Sequence, residues 1–399
     1  MDSETLLSRI TDYANRPNPY PLYAELREAG PVVRQADGSY LVGTYHHIGA
    51  LLHDPRMSAD ERVRTTPPPP EKIRDPSFLR LDDPEHHRLR TLAMRPFGPP
   101  HTPGRVNAMR GEIARITTEL LEALPTDRQI DIVDDFAYPL PVTVICRLLG
   151  VPREDEPRFR VWADALVAAA DVRPDEDTIA QDEVGRRAGN EMSQYLLDLA
   201  EQRRGEPTDD MLSAFVNEPD RSLRLTPEEL TATATLLLIA GHETTVNLIT
   251  NGVLTLLRHP EQLDLLRREP HLLPQAVEEL LRYEPPVHMR ERTPLADIEV
   301  AGTTIPAGTS VVLALASGNR DPKQFHEPDR FDPTRRDVEH LSFGSGIHLC
   351  FGGPLARIEA DTALGALLPR LGAARLVQDP PPYRQNAMLR GPRHLPVQL

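Results

Sequence analysis

Cysteine is nearly absent: the 399 residues hold two, Cys146 and Cys350. Two lone cysteines build no disulfide framework, so the expected setting is a reducing cytoplasm. Cationic side chains are in deficit as well. Lys and Arg number 45 against 60 Asp and Glu, a formal net charge of −15. That sign argues against nucleic acid and anionic membrane as partners of the whole chain. No run of about 20 apolar residues occurs, and the polar, amphipathic start Met1–Arg9 lacks the core of a signal peptide. The expectation is a soluble protein with no membrane association. Long Gly/Ser linkers and internal repeats are also missing, which favours one domain over the two or three that length alone suggests.

Proline, by contrast, is abundant: 41 residues, about twice the usual 5%. Clusters at Pro67–Pro70, Pro99-Pro100, Pro285-Pro286 and Pro380–Pro382 punctuate the chain, because proline lacks the donor that a helix interior needs. Apolar periodicity predicts helices over Val106–Leu124, Glu183–Arg203, Pro227–Leu257, Pro260–Glu269, Pro274–Tyr283 and Leu355–Leu368. Thr226-Pro227-Glu228-Glu229 reads as a helix start, with an N-cap, a proline at the first helical position and acids in the first turn. Short strand signals, Val32–Arg34 and Ser39–Val42, flank Asp37-Gly38; a second group, Ile298–Val300, Thr303–Ile305 and Val311–Ala314, surrounds Ala301-Gly302 and Ala307-Gly308. The pattern predicts a mainly α protein with small β-sheets, an α+β class.

The chemistry concentrates around Cys350. Its neighbourhood, Phe343-Gly344-Ser345-Gly346-Ile347-His348-Leu349-Cys350-Phe351-Gly352, is a glycine-punctuated loop that leads into a helix. Glycine lets the backbone turn sharply and approach a flat ligand, and a helix N-terminus is expected to lower the thiol's pKa. One thiolate is a poor zinc site but suits an iron whose in-plane ligands come from a macrocycle. Cys146, inside Val142–Leu149, reads as a small buried residue.

Three further constellations precede that loop. Ala240-Gly241-His242-Glu243-Thr244-Thr245 places a glycine and paired threonines inside a helix, where hydroxyls bond back to carbonyls one turn earlier. Such a stretch fits either a ligand groove with proton delivery or a helix crossing built on small residues. Glu279 and Arg282, at i and i+3, share a helical face, the usual spacing of a solvated bridge. Asp83–Arg90 opens another helix on which His86 and Arg90 project together, as they also would in a merely basic helix start.

The order of these motifs, with Pro328-Asp329-Arg330-Phe331 before the cysteine loop, resembles the cytochrome P450 family, in its soluble, bacterial, actinomycete-like form. The resemblance runs from about Asn18-Pro19 to Leu399. It implies the P450 fold, a single haem domain over residues 1–399 with no fused reductase, and haem b (iron protoporphyrin IX) held by the Cys350 thiolate as the metal ligand. It implies that His86, Arg90, Arg292 and His348 grip the haem propionates, with Arg290 the competitor of Arg292 and His87 off register. Glu279, Arg282 and Arg330 would form a buried structural triad. Thr244 would hydrogen-bond the O2 co-substrate while Glu243 helps deliver protons to it.

By the same resemblance, the activity is that of a monooxygenase that hydroxylates or otherwise oxidises a mostly apolar small molecule in bacterial natural-product metabolism. Pocket walls are expected in the Arg62–Leu81 loop, Trp162–Ala170 and Ala387–Leu389, with Leu236, Ala240, Val287, His288, Met289 and Met388 as lining residues; His288 would be a polar handle. Electrons would come from a ferredoxin and ferredoxin reductase, for which Arg88 and Arg95 offer basic docking points, and the protein would be a monomer. The competing readings are a peroxide-driven peroxygenase and a non-catalytic haem sensor, the second of which needs the cysteine loop but not Glu243 and Thr244.

Overall fold

The computed structural model describes residues 5–67, 77–98, 102, 104–125, 128–170 and 178–399. Part of the expected pocket loop 62–81 and the proline pair at 99–100 lie outside the described residues. Helices dominate. Those that position the site are α1 (Glu85–Phe97), α2 (Arg105–Ala123), α3 (Pro139–Leu149), α4 (Pro227–Arg258), α5 (Leu273–Tyr283) and α6 (Gly353–Leu371). Among the described residues, no helix is long and apolar enough to cross a membrane.

Local sequence explains where these helices begin and end. The Thr226 hydroxyl accepts the Glu229 N–H at 3.2 Å while the Glu229 carboxylate accepts the Thr226 N–H at 2.9 Å, a reciprocal capping box that satisfies two end donors of α4. α3 stops at Gly150, whose φ of 85° lets its N–H reach back to the Cys146 carbonyl at 3.0 Å, a turn that a side chain would strain. α3 carries nine buried residues in eleven, so nearly every side chain it bears joins the core.

α4 runs through the main core. Leu248, Ile249, Val253 and Leu256 are fully buried with Leu364 and Leu367 of α6 and Leu280 of α5. At Gly252 a Cβ would stand 3.2 Å from both Leu280 and Leu364, so this glycine sets how closely three helices cross. Burying each such leucine is worth about 1.5–3 kcal/mol.

Beside the helices lies a five-stranded sheet of β1 (Val32–Arg34), β2 (Tyr40–Val42), β3 (Met57–Ser58), β4 (Arg290–Pro294) and β5 (Val311–Leu313), in the order β1-β2-β5-β4-β3. β2 pairs parallel with β5, and β4 antiparallel with β5 in the register Arg290↔Leu313 and Arg292↔Val311. The sequence grouping of Val311 with residues 298–305 is corrected here: Ile298–Val300 and Thr303–Ile305 form their own two-stranded sheet. Hydrophobic alternation reports a strand but not its partner.

Candidate functional site

The cysteine loop is held by its own backbone. The Cys350 N–H donates to the Phe343 carbonyl at 2.9 Å, Gly344 N–H to Leu341 at 2.8 Å and Leu349 N–H to Gly346 at 3.1 Å. Gly344 and Gly346 have φ of 71° and 67°, and a Cβ on Gly346 would stand 2.3 Å from the Leu52 carbonyl oxygen. Both conformation and space therefore demand glycine there.

Cys350 is a free, exposed cysteine, yet its sulfur is partly desolvated by the protein around it. Burial pushes the thiol up, while backbone N–H groups of Gly352 and Gly353 and the guanidiniums of Arg90 and Arg290 pull it down. The expectation of a lowered thiol pKa is thus corrected. The helix terminus does aim its donors at sulfur, but desolvation of an anion outweighs them. A cation at sulfur reverses that balance.

Five cationic or potentially cationic side chains converge beside the loop. His86, on α1, is 2% exposed and its Nδ1 lies 3.2 Å from Asp83. Its ring stands 4.3 Å from that of His348, tilted by 50°. The Nε2 atoms of both rings are buried with no hydrogen-bond partner among the described residues. His348 is pushed down to about 3 by burial and by the neighbouring Arg292, His86 and Arg90. Arg292 is lowered to about 10, by burial and then by Arg290, and its side chain donates to the Glu291 carbonyl at 2.8 Å. Arg90 donates to the Leu349 carbonyl, so it braces the loop directly. Arg290 and Arg292, two apart on β4, share one face of the strand; Arg290 feels the Cys350 charge and Arg292 the His348 ring. Two buried orphan imidazole nitrogens and mutually repelling arginines describe a receptor for carboxylates. Together with an accessible thiol, these residues fit an iron macrocycle that carries two acidic side arms.

A small apolar cluster ties this region to α4. Phe78, Leu81, Leu89 and Ala93 pack with Leu236 of α4 and with Phe351, and Phe351 stacks edge-on to Phe97 at 4.8 Å. One turn beyond Leu236, Ala240 is exposed. The Thr244 hydroxyl donates back to the Ala240 carbonyl at 2.6 Å. Glu243 is buried and ion-paired with Arg384, Oε1 to Nε 2.7 Å, with both side chains 5% exposed; Asn247 adds a donor at 3.3 Å. Sequence reasoning missed Arg384, which lies 141 positions away in a C-terminal turn that carries no motif. It also missed Glu359, buried in α6, where desolvation pushes the acid up to about 8 against a stabilising bond from Thr245. An acid on the apolar face of α6 was its only signal.

The triad needs one substitution of residue. Arg282 donates to Glu279 through Nε at 2.7 Å and Nη2 at 2.9 Å, with both side chains 0% exposed. The third member is Arg335, whose Nε lies 3.2 Å from Glu279. Arg330 points outward to Glu327 at 3.0 Å and gives only its backbone carbonyl to Arg282. The Asp332–Arg335 turn, closed by the Arg335 N–H on the Asp332 carbonyl at 3.0 Å, brings the later arginine inward.

Other expected residues are redistributed. His288 is 1% exposed with Nδ1 3.0 Å from the Tyr23 hydroxyl, and Met289 packs with Ile10, Tyr23, Leu26 and Leu41. Both belong to the packing between sheet and N-terminal helices, which corrects their assignment to a substrate pocket. Val287 packs in the sheet's core and bridges Leu389. Leu236, Ala240 and Met388 keep exposed surface. Arg88 is held by Glu229 and Arg95 by Glu218, so their charges are answered within the fold.

The sequence matches the family model described as Cytochrome P450 over residues 13–398. It is 44% identical to the cytochrome P450 monooxygenase PikC of Streptomyces venezuelae over 95% of this chain and 91% of that protein. Identity to the 6-deoxyerythronolide B hydroxylase of Saccharopolyspora erythraea is 40%, over 95% of this chain and 96% of that one. Among solved structures, ligand-free CYP164A2 of Mycobacterium smegmatis superimposes with a TM-score of 0.88 at 38% identity, covering 99% of each chain.

Proposed function

The chain belongs to the cytochrome P450 family, and from that premise we propose that it binds haem b through Cys350 and activates O2 to oxidise a mostly apolar small molecule of natural-product metabolism. The observation that carries this reading is the receptor beside the cysteine loop: a single accessible thiol with two orphaned imidazole nitrogens and two arginines around it. His86, Arg90, Arg292 and His348 would bind the two propionates. The haem iron, when bound, supplies the reductive activation of O2.

The remaining roles fall to this chain's own residues. Thr244, whose hydroxyl is now bonded to the Ala240 carbonyl, turns its lone pairs toward solvent or co-substrate and positions a proton donor. Glu243, one residue earlier and anchored by Arg384, is the acid that passes protons to that hydroxyl. Leu236, Ala240 and Met388 provide apolar surface for the substrate. Electrons come from an external ferredoxin and its reductase. Relatives named as a 6-deoxyerythronolide B hydroxylase and a polyketide biosynthesis cytochrome P450 support a polyketide-sized substrate.

Carbon monoxide added to reduced protein tests the ligand: the red-shifted Soret band of thiolate ligation is expected, and a histidine-type band in folded protein sinks the assignment. Thr244→Ala tests the oxygen chemistry. Product per electron pair should drop and peroxide release rise, whereas unchanged coupling, or full turnover on peroxide alone, refutes the proposed role.

A further inference from the structure

The acid on α4 is not held by α4 alone. Glu243 and Arg384 are each 5% exposed and 2.7 Å apart, while their backbones belong to distant parts of the chain. Two desolvated charges in contact fix one another's orientation, since separating them strands both.

Arg384 stands at the base of a tight loop. Its N–H donates to the Gly391 carbonyl at 3.2 Å, so residues 384 and 391 close the loop. At the tip, the Asn386 side chain accepts the N–H groups of Met388 and Leu389 at 2.9 Å and 3.2 Å. The loop is docked onto α4 at its far end: a Cβ on Gly391 would stand 2.1 Å from Asn247 Oδ1, and Asn251 donates to the Arg390 carbonyl at 3.0 Å. Its tip joins the wall beside the sheet, where the His288 N–H donates to the Met388 carbonyl at 2.8 Å and Leu389 bridges Val287. Residues 385–389 are all half-buried, and Met388, the longest apolar side chain among them, also ties the loop to His288 through its backbone.

We propose that Arg384 is the positioning residue of the proton-delivering acid, and that its loop makes the placement of Glu243 depend on what is seated against Met388. The inference rests on the reading of Glu243 as that acid. Arg384 is assigned no contact with substrate or reacting atoms and acts by fixing where the Glu243 carboxyl stands, one residue before Thr244 on α4. A substrate that presses Met388 shifts the loop on which the guanidinium is mounted. A poor fit leaves the acid misplaced, so electrons are lost to peroxide.

The test uses the holoenzyme with surrogate ferredoxin and reductase, and the variants R384M, R384K, R384Q, E243Q and E243Q/R384M. R384M should lower product per NADPH by about tenfold or more, while substrate affinity read from the Soret shift changes by less than about threefold. R384K should retain more coupling than R384Q, and E243Q/R384M should couple no worse than E243Q. Across a substrate panel, the wild type's spread in coupling should narrow in R384M. Urea unfolding supplies a readout independent of turnover: the double variant should be less destabilised than the two single variants summed. If R384M does not fold, the R384K and R384Q comparison and the double variant decide. Wild-type coupling in R384M or R384Q, an equal loss in R384K, or additive unfolding effects overturn the proposal. An unchanged spread across substrates overturns its loop component. Normal coupling in E243Q instead overturns the acid reading beneath it, and the two failures are therefore distinguishable.

Discussion

Replacing Arg335 by Met should destabilise the protein far more than replacing Arg330 by Ala, although Arg330 sits in the more conspicuous motif. Arg335 is 11% exposed and its Nε is 3.2 Å from a Glu279 carboxylate that is 0% exposed. Its two Nη atoms also donate to the carbonyls of His326 at 2.8 Å, Glu327 at 3.1 Å and Arg330 at 3.3 Å. Removing it takes away one charge-assisted bond to Glu279 and three donors to carbonyls, of which Glu327 keeps the Arg330 N–H and Arg330 keeps Arg282. Glu279 keeps Arg282 and the Asp332 N–H at 3.0 Å, so the loss is smaller than for a wholly unpaired buried acid. A cost of about 2–4 kcal/mol follows. Arg330 is 62% exposed and pairs with Glu327, itself 53% exposed, so its truncation costs about 0–1 kcal/mol. Urea unfolding of both variants, together with the fraction of haem incorporated on expression, measures the difference. An Arg330→Ala loss equal to or above that of Arg335→Met would refute the triad drawn here.

Glu359 yields a pH signature. Its carboxyl is pushed from the ordinary 4.5 to about 8 by burial, so between those values the unfolded chain sheds a proton that the folded one keeps. The unfolded state then binds fewer protons, and stability falls as pH rises through that window. Glu359→Gln should remove this component and gain on the order of 3–5 kcal/mol over wild type at pH 8 and almost none at pH 4.5; a pH-independent difference in urea unfolding refutes it. At the carboxylate receptor, His86→Leu and His348→Leu each delete a buried, unpartnered ring nitrogen, which should speed haem transfer to apomyoglobin by about tenfold or more. Rates unchanged in both would detach the histidines from haem binding. His242→Phe offers a contrast: the ring is buried and pushed down to about 3, chiefly by burial, and packs 4.3 Å from Tyr138, so an aromatic should be tolerated within about 1.5 kcal/mol by the same unfolding assay.

Much of the site was legible because it is written locally. Positive-φ glycines at 344 and 346, a histidine two residues before a cysteine, and the helix start behind them occupy one contiguous stretch. The limits of α4 were legible for the same reason, since its capping box lies within four residues. Where the reading went astray, the deciding contact joined distant residues. Arg330 and Arg335 are equally plausible partners of Glu279 by spacing, and a turn closed at Asp332 selects the later one. His288 and Met289 look like pocket residues until Tyr23 and Ile10 arrive from the other end of the chain.

The sequence by itself marked the Cys350 loop and the cationic residues that gather beside it, and it predicted the mainly helical class, because each depends on residue type and on spacings within a turn or a loop. Only the tertiary structure decided which way the Cys350 thiol is pushed, which arginine completes the triad, and which cation holds Glu243. Those outcomes depend on desolvation and on contacts across about 50–140 positions. Burial and charge pairing are properties of the assembled core, and no local pattern encodes them.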